Sequence, residues 1–171
     1  GRSGIGFQIA KDFLQLGANV VIASRKEEPL AEAAEKLAYF GSVLHKACDI
    51  RKTEDIQELA KFIKEKCGRL DILVNNAGTS SASPLEEMTN DQLTEDLNLK
   101  VYGAIYCARA VIEDMKSIGS GSIINITTPG GKATAGGSQP TSLSRAAGIS
   151  LTKAWSKEYA GSNIRVNTVC V

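Results

Sequence analysis

A glycine-rich turn opens the chain and runs directly into a helical pattern. Residues 1–6 read GRSGIG, and Ile5, Ile9, Phe13 and Leu16 then recur at the spacing of one helix face. Glycines leave no side chains where a pyrophosphate would approach, and the first backbone N–H groups of a helix lie unpaired at its positive end. The turn therefore predicts an anion site of the kind that binds a dinucleotide, although tight packing of the helix on a strand would explain the same glycines.

Composition restricts the classes of protein that are compatible with this chain. The 171 residues include 20 Lys and Arg, 19 Asp and Glu and 43% hydrophobic residues, which predicts one globular domain. A formal net charge of +1 gives no electrostatic argument for a nucleic-acid partner, and no apolar run approaches the roughly 20 residues that span a bilayer. The four cysteines form no CxxC pair, so we expect reduced thiols, no metal site and a cytoplasmic protein.

Short apolar runs alternate with helical patterns along the rest of the chain. Thr53 is predicted to cap one helix, and Thr89 with Gln92 forms a capping-box pattern that opens a long helix. The predicted strands are residues 19–23, 42–47, 72–74, 122–126 and 164–171, and the helices after the first are residues 29–39, 53–67, 89–116 and 142–160. Strands that alternate with helices of this length predict an α/β fold with a doubly wound parallel sheet.

Five motifs in order resemble the classical short-chain dehydrogenase/reductase family. Residues 1–6 are similar to the end of its Thr-Gly-x-x-x-Gly-x-Gly turn, and residues 71–78 (DILVNNAG) match its fourth-strand signature in full. Asp49 resembles the acidic residue that contacts adenine, Asn98 resembles the asparagine of its fourth helix, and residues 164–167 (IRVN) resemble its sixth strand. The resemblance implies a Rossmann-type sheet with helices on both faces.

The same resemblance implies that strands lie outside this chain. In the family the strands follow the order 3-2-1-4-5-6-7, so the first strand would precede residue 1 and the last would follow Val171. Residues 1–171 are therefore expected to form a single NAD(P)-binding Rossmann domain that is incomplete at both ends.

The choice of cofactor depends on the end of the family's second strand. Sites for NAD carry an acidic residue there, whereas this chain has Ser24 followed by Arg25, with Arg2 inside the glycine turn. A guanidinium binds a 2′-phosphate through charge-assisted hydrogen bonds, which favours NADP; the alternative is that both arginines are solvated surface charges. The residues assigned to the cofactor are Gly1, Arg2, Ser3, Gly4, Ile5, Gly6, Ser24, Arg25, Asp49, Ile50, Asn76, Ala77, Gly78 and Arg145.

The sequence departs from the family at its catalytic positions. Thr141 stands where the family has its proton-donating Tyr, Arg145 where it has Lys, and Thr128 where it has Ser. An aliphatic hydroxyl has a pKa far above the ~10 of a phenol, so Thr141 alone is no general acid near neutral pH. The resemblance implies that Asn98 serves a water relay, that Thr128 binds the substrate oxygen and that Arg145 holds the nicotinamide ribose.

Two functions remain open at this point. The first is an NADP(H)-dependent oxidoreductase that transfers hydride to or from a carbonyl, an alcohol or a conjugated enoyl substrate. The alternative is a catalytically weak NADP-binding sensor or an inactive subunit of a mixed oligomer. By resemblance the partners are a small-molecule substrate and further copies of the chain, in a homodimer or homotetramer.

Overall fold

The computed structural model describes residues 1–171, which form two compact units, Gly1–Gly68 and Arg69–Val171. In each unit strands alternate with helices, and all strand pairs are parallel. Alternation with parallel pairing confirms the predicted α/β class. The assignment of residues 1–171 to one domain stays a prediction.

The first unit packs helices on a two-stranded sheet. Its elements are α1 (Gly4–Gln15), β1 (Val20–Ser24), α2 (Glu27–Ala38), β2 (Val43–Ala47) and α3 (Thr53–Cys67). Strands β1 and β2 pair in register with Val20 opposite Val43. Leu30 and Leu37 of α2 are fully buried beside Leu14 of α1, so these helices cover the strands with their apolar faces.

The second unit contains a three-stranded sheet in the order β3-β4-β5. Its elements are β3 (Ile72–Asn75), α4 (Asn90–Leu97), α5 (Gly103–Ile118), β4 (Gly121–Thr127), α6 (Thr141–Glu158) and β5 (Ile164–Cys170), with 3-10 turns at Pro129–Gly131 and Ala160–Ser162. Met115 of α5, Ile123 of β4 and Ile164 of β5 are buried in one apolar cluster. This cluster fixes the sheet whose carboxyl edge carries the end of the predicted fourth-strand motif and Thr128.

Two predicted helix boundaries can be compared with the structure. The capping box is confirmed, because the Thr89 hydroxyl accepts from the Gln92 backbone N–H at 3.1 Å and the Gln92 side chain accepts from the Thr89 N–H at 2.9 Å. The predicted cap at Thr53 is wrong by one residue: Lys52 holds the cap position, and Thr53 is already helical. The Thr53 hydroxyl instead donates to Glu54, since a helical Thr cannot reach the N–H groups that a cap residue serves.

The long helix predicted from residue 89 to residue 116 is interrupted. A π-helical turn, Asn98–Tyr102, separates α4 from α5. Such turns insert an extra residue into a helix and are frequent at functional sites. None of the helices is long and apolar enough to cross a membrane.

Gly121 and Gly148 form a matched pair for testing the packing of the second unit. A Cβ at Gly121 would lie 2.6 Å from Sδ of the fully buried Met115, whereas a Cβ at Gly148, inside α6, would meet open space. We expect Gly121→Ala to lower the free energy of unfolding by about 1–3 kcal/mol through overpacking. Gly148→Ala should raise it by about 0.5–1 kcal/mol, because alanine loses less backbone entropy in a helix. Urea unfolding of the full-length protein measures both, and equal effects would contradict this account of the packing.

Candidate functional site

The glycine turn of the first unit presents uncapped backbone N–H groups. Ser3 is extended at the N-cap, and Gly4 begins α1 at φ +56°, in the left-handed region that favours glycine. No side chain caps the helix, and its first turn carries no acidic residue. A Cβ at Gly1 would lie 2.9 Å from Cβ of Ile22, so glycine lets the turn lie against β1. The turn thus has the free donors and the open backbone that an anion needs.

The end of β1 has an unsatisfied hydroxyl beside an exposed cation. Ser24 Oγ is buried and has no hydrogen-bond partner in the protein. Arg25 and Arg2 are exposed, and neither forms an ion pair. These residues are free to receive an anionic group that also accepts from a hydroxyl.

Asp49 is already engaged within the first unit. Its carboxylate accepts from the Arg51 side chain, with Nε 2.9 Å from Oδ1 and Nη2 2.5 Å from Oδ2, and from the Arg51 backbone N–H at 3.1 Å. Its backbone N–H donates to Asp55 at 2.8 Å. The hydrogen bonds from Arg51 hold the pKa of Asp49 below its ordinary value against the opposing effect of burial, and the charge of Arg25 contributes. An adenine contact by Asp49 or by the adjoining Ile50 stays a prediction.

A chain of amides fixes the carboxyl ends of β3 and β4 in the second unit. Asn75 donates to Asn125 at 2.9 Å, and Asn125 donates to Thr152 of α6 at 2.8 Å. The buried face of α6 carries hydroxyls, with Ser144 and Thr152 both inaccessible, so hydrogen bonds orient this helix against the sheet. Asn76, Ala77 and Gly78 follow β3 directly at this edge.

Arg145 is held against the same edge. Its Nη1 donates to the carbonyl of Ile126 at 2.9 Å, and a Cβ at Gly78 would lie 2.8 Å from its Nη2. A Cβ at Gly131 would lie 2.8 Å from the Arg145 carbonyl carbon, so the backbone of α6 requires glycine there, while Gly78 leaves room for the guanidinium. The Nε of Arg145 is buried without a partner, and burial lowers the pKa of the guanidinium, which Asp96 partly offsets.

The two threonines after β4 differ in their environment. Thr127 is buried and donates to the carbonyl of Arg145 at 3.4 Å. Thr128 is half-buried, and its hydroxyl has no partner in the protein. Of the two, Thr128 has the hydroxyl that is free to bind a substrate oxygen.

Asp96 of α4 is the centre of a buried polar network. Its Oδ1 accepts from the Ser81 hydroxyl at 2.6 Å and from the Lys100 ammonium, and its Oδ2 accepts from the Ser144 hydroxyl at 2.6 Å. Lys100 also donates to the Thr141 hydroxyl at 3.3 Å, and this hydroxyl accepts from the Ser81 backbone N–H at 3.0 Å. The network therefore connects Thr141 to a buried ion pair.

Both charged groups of the network titrate away from their ordinary ranges. Burial by itself would raise the pKa of the Asp96 carboxyl, but hydrogen bonds from Lys100, Ser144 and Ser81 outweigh it and hold that pKa low. Burial lowers the pKa of the Lys100 ammonium, the charge of Arg145 lowers it further, and Asp96 opposes both. The carboxylate is thus firmly ionised beside an ammonium that gives up its proton more readily than a free lysine.

The structure brings together Thr141 and Arg145 but adds residues that the sequence analysis did not identify. These are Asp96, Lys100, Ser81 and Ser144. Asn98, expected to serve a water relay, makes no hydrogen bond to Thr128, Thr141 or Arg145, and Lys100 is the residue of this helix that contacts Thr141. Opposite charges four residues apart were the one signal in the sequence, but such a pair is ordinarily a surface feature.

Comparison with known proteins identifies the family. The family model described as short chain dehydrogenase matches residues 1–171, and the chain belongs to that family. It is 34% identical over 98% of its length to the uncharacterized oxidoreductase YvrD of Bacillus subtilis, and 32% identical over 96% to human dehydrogenase/reductase SDR family member 4. A crystal structure of a short chain dehydrogenase from Mycobacterium smegmatis superposes with a TM-score of 0.94 at 30% identity, covering 98% of this chain and 71% of that one. The chain spans 63% and 60% of the lengths of the two relatives.

Replacing Asp96 tests the buried network. Asp96→Asn leaves the Lys100 charge buried without a counter-charge, and we expect a loss of about 3–5 kcal/mol in the free energy of unfolding. In the parent protein the low pKa of Asp96 contributes stability at neutral pH, which is lost as the pH falls through that pKa; the variant should lack this part of the acid sensitivity. Unfolding at several pH values measures both effects.

The control for this variant is an exposed ion pair. Lys61 and Glu65 lie 3.9 Å apart on the surface, so Lys61→Met should leave stability nearly unchanged. An Asp96→Asn protein as stable as the Lys61→Met protein would refute the importance of the network.

Proposed function

We propose that the protein is an NADP(H)-dependent oxidoreductase of the short-chain dehydrogenase/reductase type. Its substrate would be a small molecule with a carbonyl or alcohol group, or with a conjugated enoyl group. Family membership and the naming of YvrD as an oxidoreductase support the reaction class. The preference for NADP is supported by the residues of the first unit.

The observation that carries the proposal is a pair of unsatisfied atoms. Ser24 Oγ and Arg145 Nε are buried polar side-chain atoms without a partner in the protein, and both belong to residues assigned to the cofactor from the sequence. Burying such an atom unpaired costs about 1–3 kcal/mol, so a ligand that bonds to it recovers that cost. In the first unit, Ser24 fits a ribose that carries a phosphate; in the second unit, Arg145 fits a ribose hydroxyl.

Each part of the proposed site has a specific role toward the dinucleotide. The uncapped start of α1, with Gly4 and Ser3, would hold the pyrophosphate, while Arg25 and Arg2 would bind the 2′-phosphate beside Ser24. Arg145 would donate to the nicotinamide ribose. When bound in its reduced form, the cofactor supplies a hydride.

The substrate side of the proposal depends on two hydroxyls and a fixed charge. Thr128 has a free hydroxyl for the substrate oxygen, and Thr141 has a hydroxyl in contact with the Lys100 ammonium. Two cations, Lys100 and Arg145, face one carboxylate, Asp96, so the site carries a net positive charge. That charge stabilises the negative charge that develops on a carbonyl oxygen when hydride adds to its carbon.

A catalytically weak NADP-binding sensor, or an inactive subunit of a mixed oligomer, is the second candidate. It is favoured by one observation, the presence of Thr141 where the family has its proton-donating tyrosine. For the oxidoreductase we propose a cytoplasmic homodimer or homotetramer that associates through α4, α5 and α6. Leu143 of α6 is half exposed.

Cofactor preference is tested at Arg25. We expect the full-length protein to bind NADPH more tightly than NADH, and Arg25→Asp to weaken NADPH binding by roughly 10- to 100-fold, because it removes charge-assisted hydrogen bonds and adds repulsion. NADH binding should change little. Fluorescence titration with each reduced cofactor measures the effect.

Lys26→Asp provides the matched control, since it makes the same change of charge at the adjacent exposed residue. If both variants lose the same NADPH affinity, the effect of Arg25 comes from the overall charge of the surface and not from a specific contact with the cofactor. Tighter binding of NADH by the unmodified protein would contradict the NADP preference.

Turnover separates the two candidate functions. The full-length protein with NADPH should oxidise the cofactor in the presence of a member of a panel of ketones, diketones and enoyl thioesters, followed by the loss of reduced-cofactor absorbance. Binding of NADPH without turnover across the panel would favour the sensor. If the protein binds neither NADPH nor NADH, both functions are overturned.

A further inference from the structure

Lys100 is buried at a cost that packing does not explain. Its side chain is 2% exposed, and that of Asp96 is fully buried. Lysine is almost never buried unless it is paired, and a buried ion pair is frequently no more stable than apolar residues of the same volume. A reason other than stability is therefore needed for the ammonium.

The hydrogen bonds of Asp96 and Lys100 have different targets. Asp96 by itself anchors the loop after β3 through Ser81 and the start of α6 through Ser144. The hydrogen bond that Lys100 adds beyond Asp96 goes to the Thr141 hydroxyl. The ammonium thus acts on Thr141, while the carboxylate performs the anchoring.

The O–H of Thr141 donates to no acceptor in the protein. Its oxygen accepts from the Ser81 backbone N–H and from Lys100, which occupies both lone pairs. No acceptor for its own O–H is present in the protein, and the residue is half-buried. A hydroxyl that accepts from a cation is polarised toward donation, so this O–H is arranged for an acceptor that is not part of the chain.

We propose that Lys100 is the proton source of this site and that Thr141 passes its proton to the substrate oxygen. This inference rests on the proposed oxidoreductase function. Thr141 would contact the substrate, and Lys100 would act through Thr141.

The proposed step balances in atoms and electrons. When the substrate carbonyl carbon accepts hydride from the reduced nicotinamide dinucleotide, the C=O π pair moves onto the oxygen. That oxygen takes the Thr141 proton while Thr141 Oγ1 takes a proton from Lys100 Nζ, so the threonine never ionises. Lys100 becomes neutral and regains a proton from water, and the net reaction consumes one hydride and one proton.

The acidity of the groups is consistent with this step. An ordinary lysine ammonium has a pKa of about 10.4, close to the ~10 of the phenol that serves the same purpose in relatives with tyrosine. The groups that face Lys100 are Asp96 on α4, which favours its charged form, and Arg145 on α6, which disfavours it. Burial adds to the effect of Arg145, so the ammonium is a stronger acid than free lysine.

The test compares variants that separate charge, proton and hydroxyl in the full-length protein. Lys100→Arg keeps a cation that cannot release its proton, and Thr141→Val removes the hydroxyl at constant shape. We expect both to lower kcat by at least about 100-fold, as general acids contribute roughly 10²- to 10⁴-fold. Thr141→Ser, which keeps the relay, should stay within about 10-fold. Affinity for NADPH should remain within about threefold in all three.

A direct titration of the amine gives a readout that does not need turnover. In protein labelled with 15N at lysine, the Nζ resonance absent from Lys100→Arg should titrate below about 10.4. It should titrate lower still in Thr141→Val, because a hydrogen bond to the charged form is lost. Where Lys100→Arg does not fold, the Asp96→Asn/Lys100→Met double variant removes the pair without leaving an unpaired charge.

The outcomes of these measurements are distinct. Turnover by Lys100→Arg or Thr141→Val at the parent rate overturns the inference and leaves the proposed function standing. If the parent protein binds neither NADPH nor NADH, the proposed function is overturned. If NADPH binds but no turnover is found, the titration of Lys100 decides. The inference is overturned when the pKa of the Lys100 amine is at or above its ordinary value and Thr141→Val does not change it.

Discussion

A single buried carboxylate joins the segments that bear on the candidate site. Asp96 receives hydrogen bonds from the loop after β3, from the π-helical turn that follows its helix and from the start of α6. In a medium of low polarity such bonds are strong when all are made and costly when any is missing. The loop, the π-helical turn and α6 are therefore fixed together, and the position of Thr141 follows from theirs.

The second fixed point is a guanidinium rather than a flexible amine. Arg145 is larger than the lysine that relatives carry at its position, and Gly78 and Gly131 leave the space that it occupies. Because a guanidinium stays protonated, this charge is available at every physiological pH. In the proposed mechanism the two cations would have different tasks: Arg145 would provide permanent charge, and Lys100 would be the cation that titrates. The resulting field favours negative charge on a bound oxygen without any rearrangement.

Local patterns predicted the fold well, because strands, apolar helix faces and the capping box at Thr89 are determined by neighbouring residues. The cap at Thr53 was misplaced by one residue, since hydroxyl and acidic residues in the first helical turn look alike in sequence. The water relay at Asn98 stays a prediction, and the hydrogen bond to Thr141 comes from Lys100, which no motif indicated. That contact depends on a helix irregularity and on a partner 41 residues away, and neither is encoded in local spacing. The family, by contrast, was evident from short motifs, since they lie at strand ends where the backbone itself is constrained.

The π-helical turn has a consequence for how this protein can change over generations. Each residue of an α-helix turns the chain by about 100° around the helix axis. The π-helical turn between α4 and α5 therefore sets how the side chains of α5 are rotated about the axis relative to those of α4. Substitutions within Asn98–Tyr102 leave that rotation untouched, but the loss of one codon would rotate one helix by a quarter turn or more. Either Lys100 would swing away from Thr141, or the face of α5 that contains Met115 would leave the core. The fold therefore requires a fixed chain length in this short segment more strictly than it requires most of the segment's side chains.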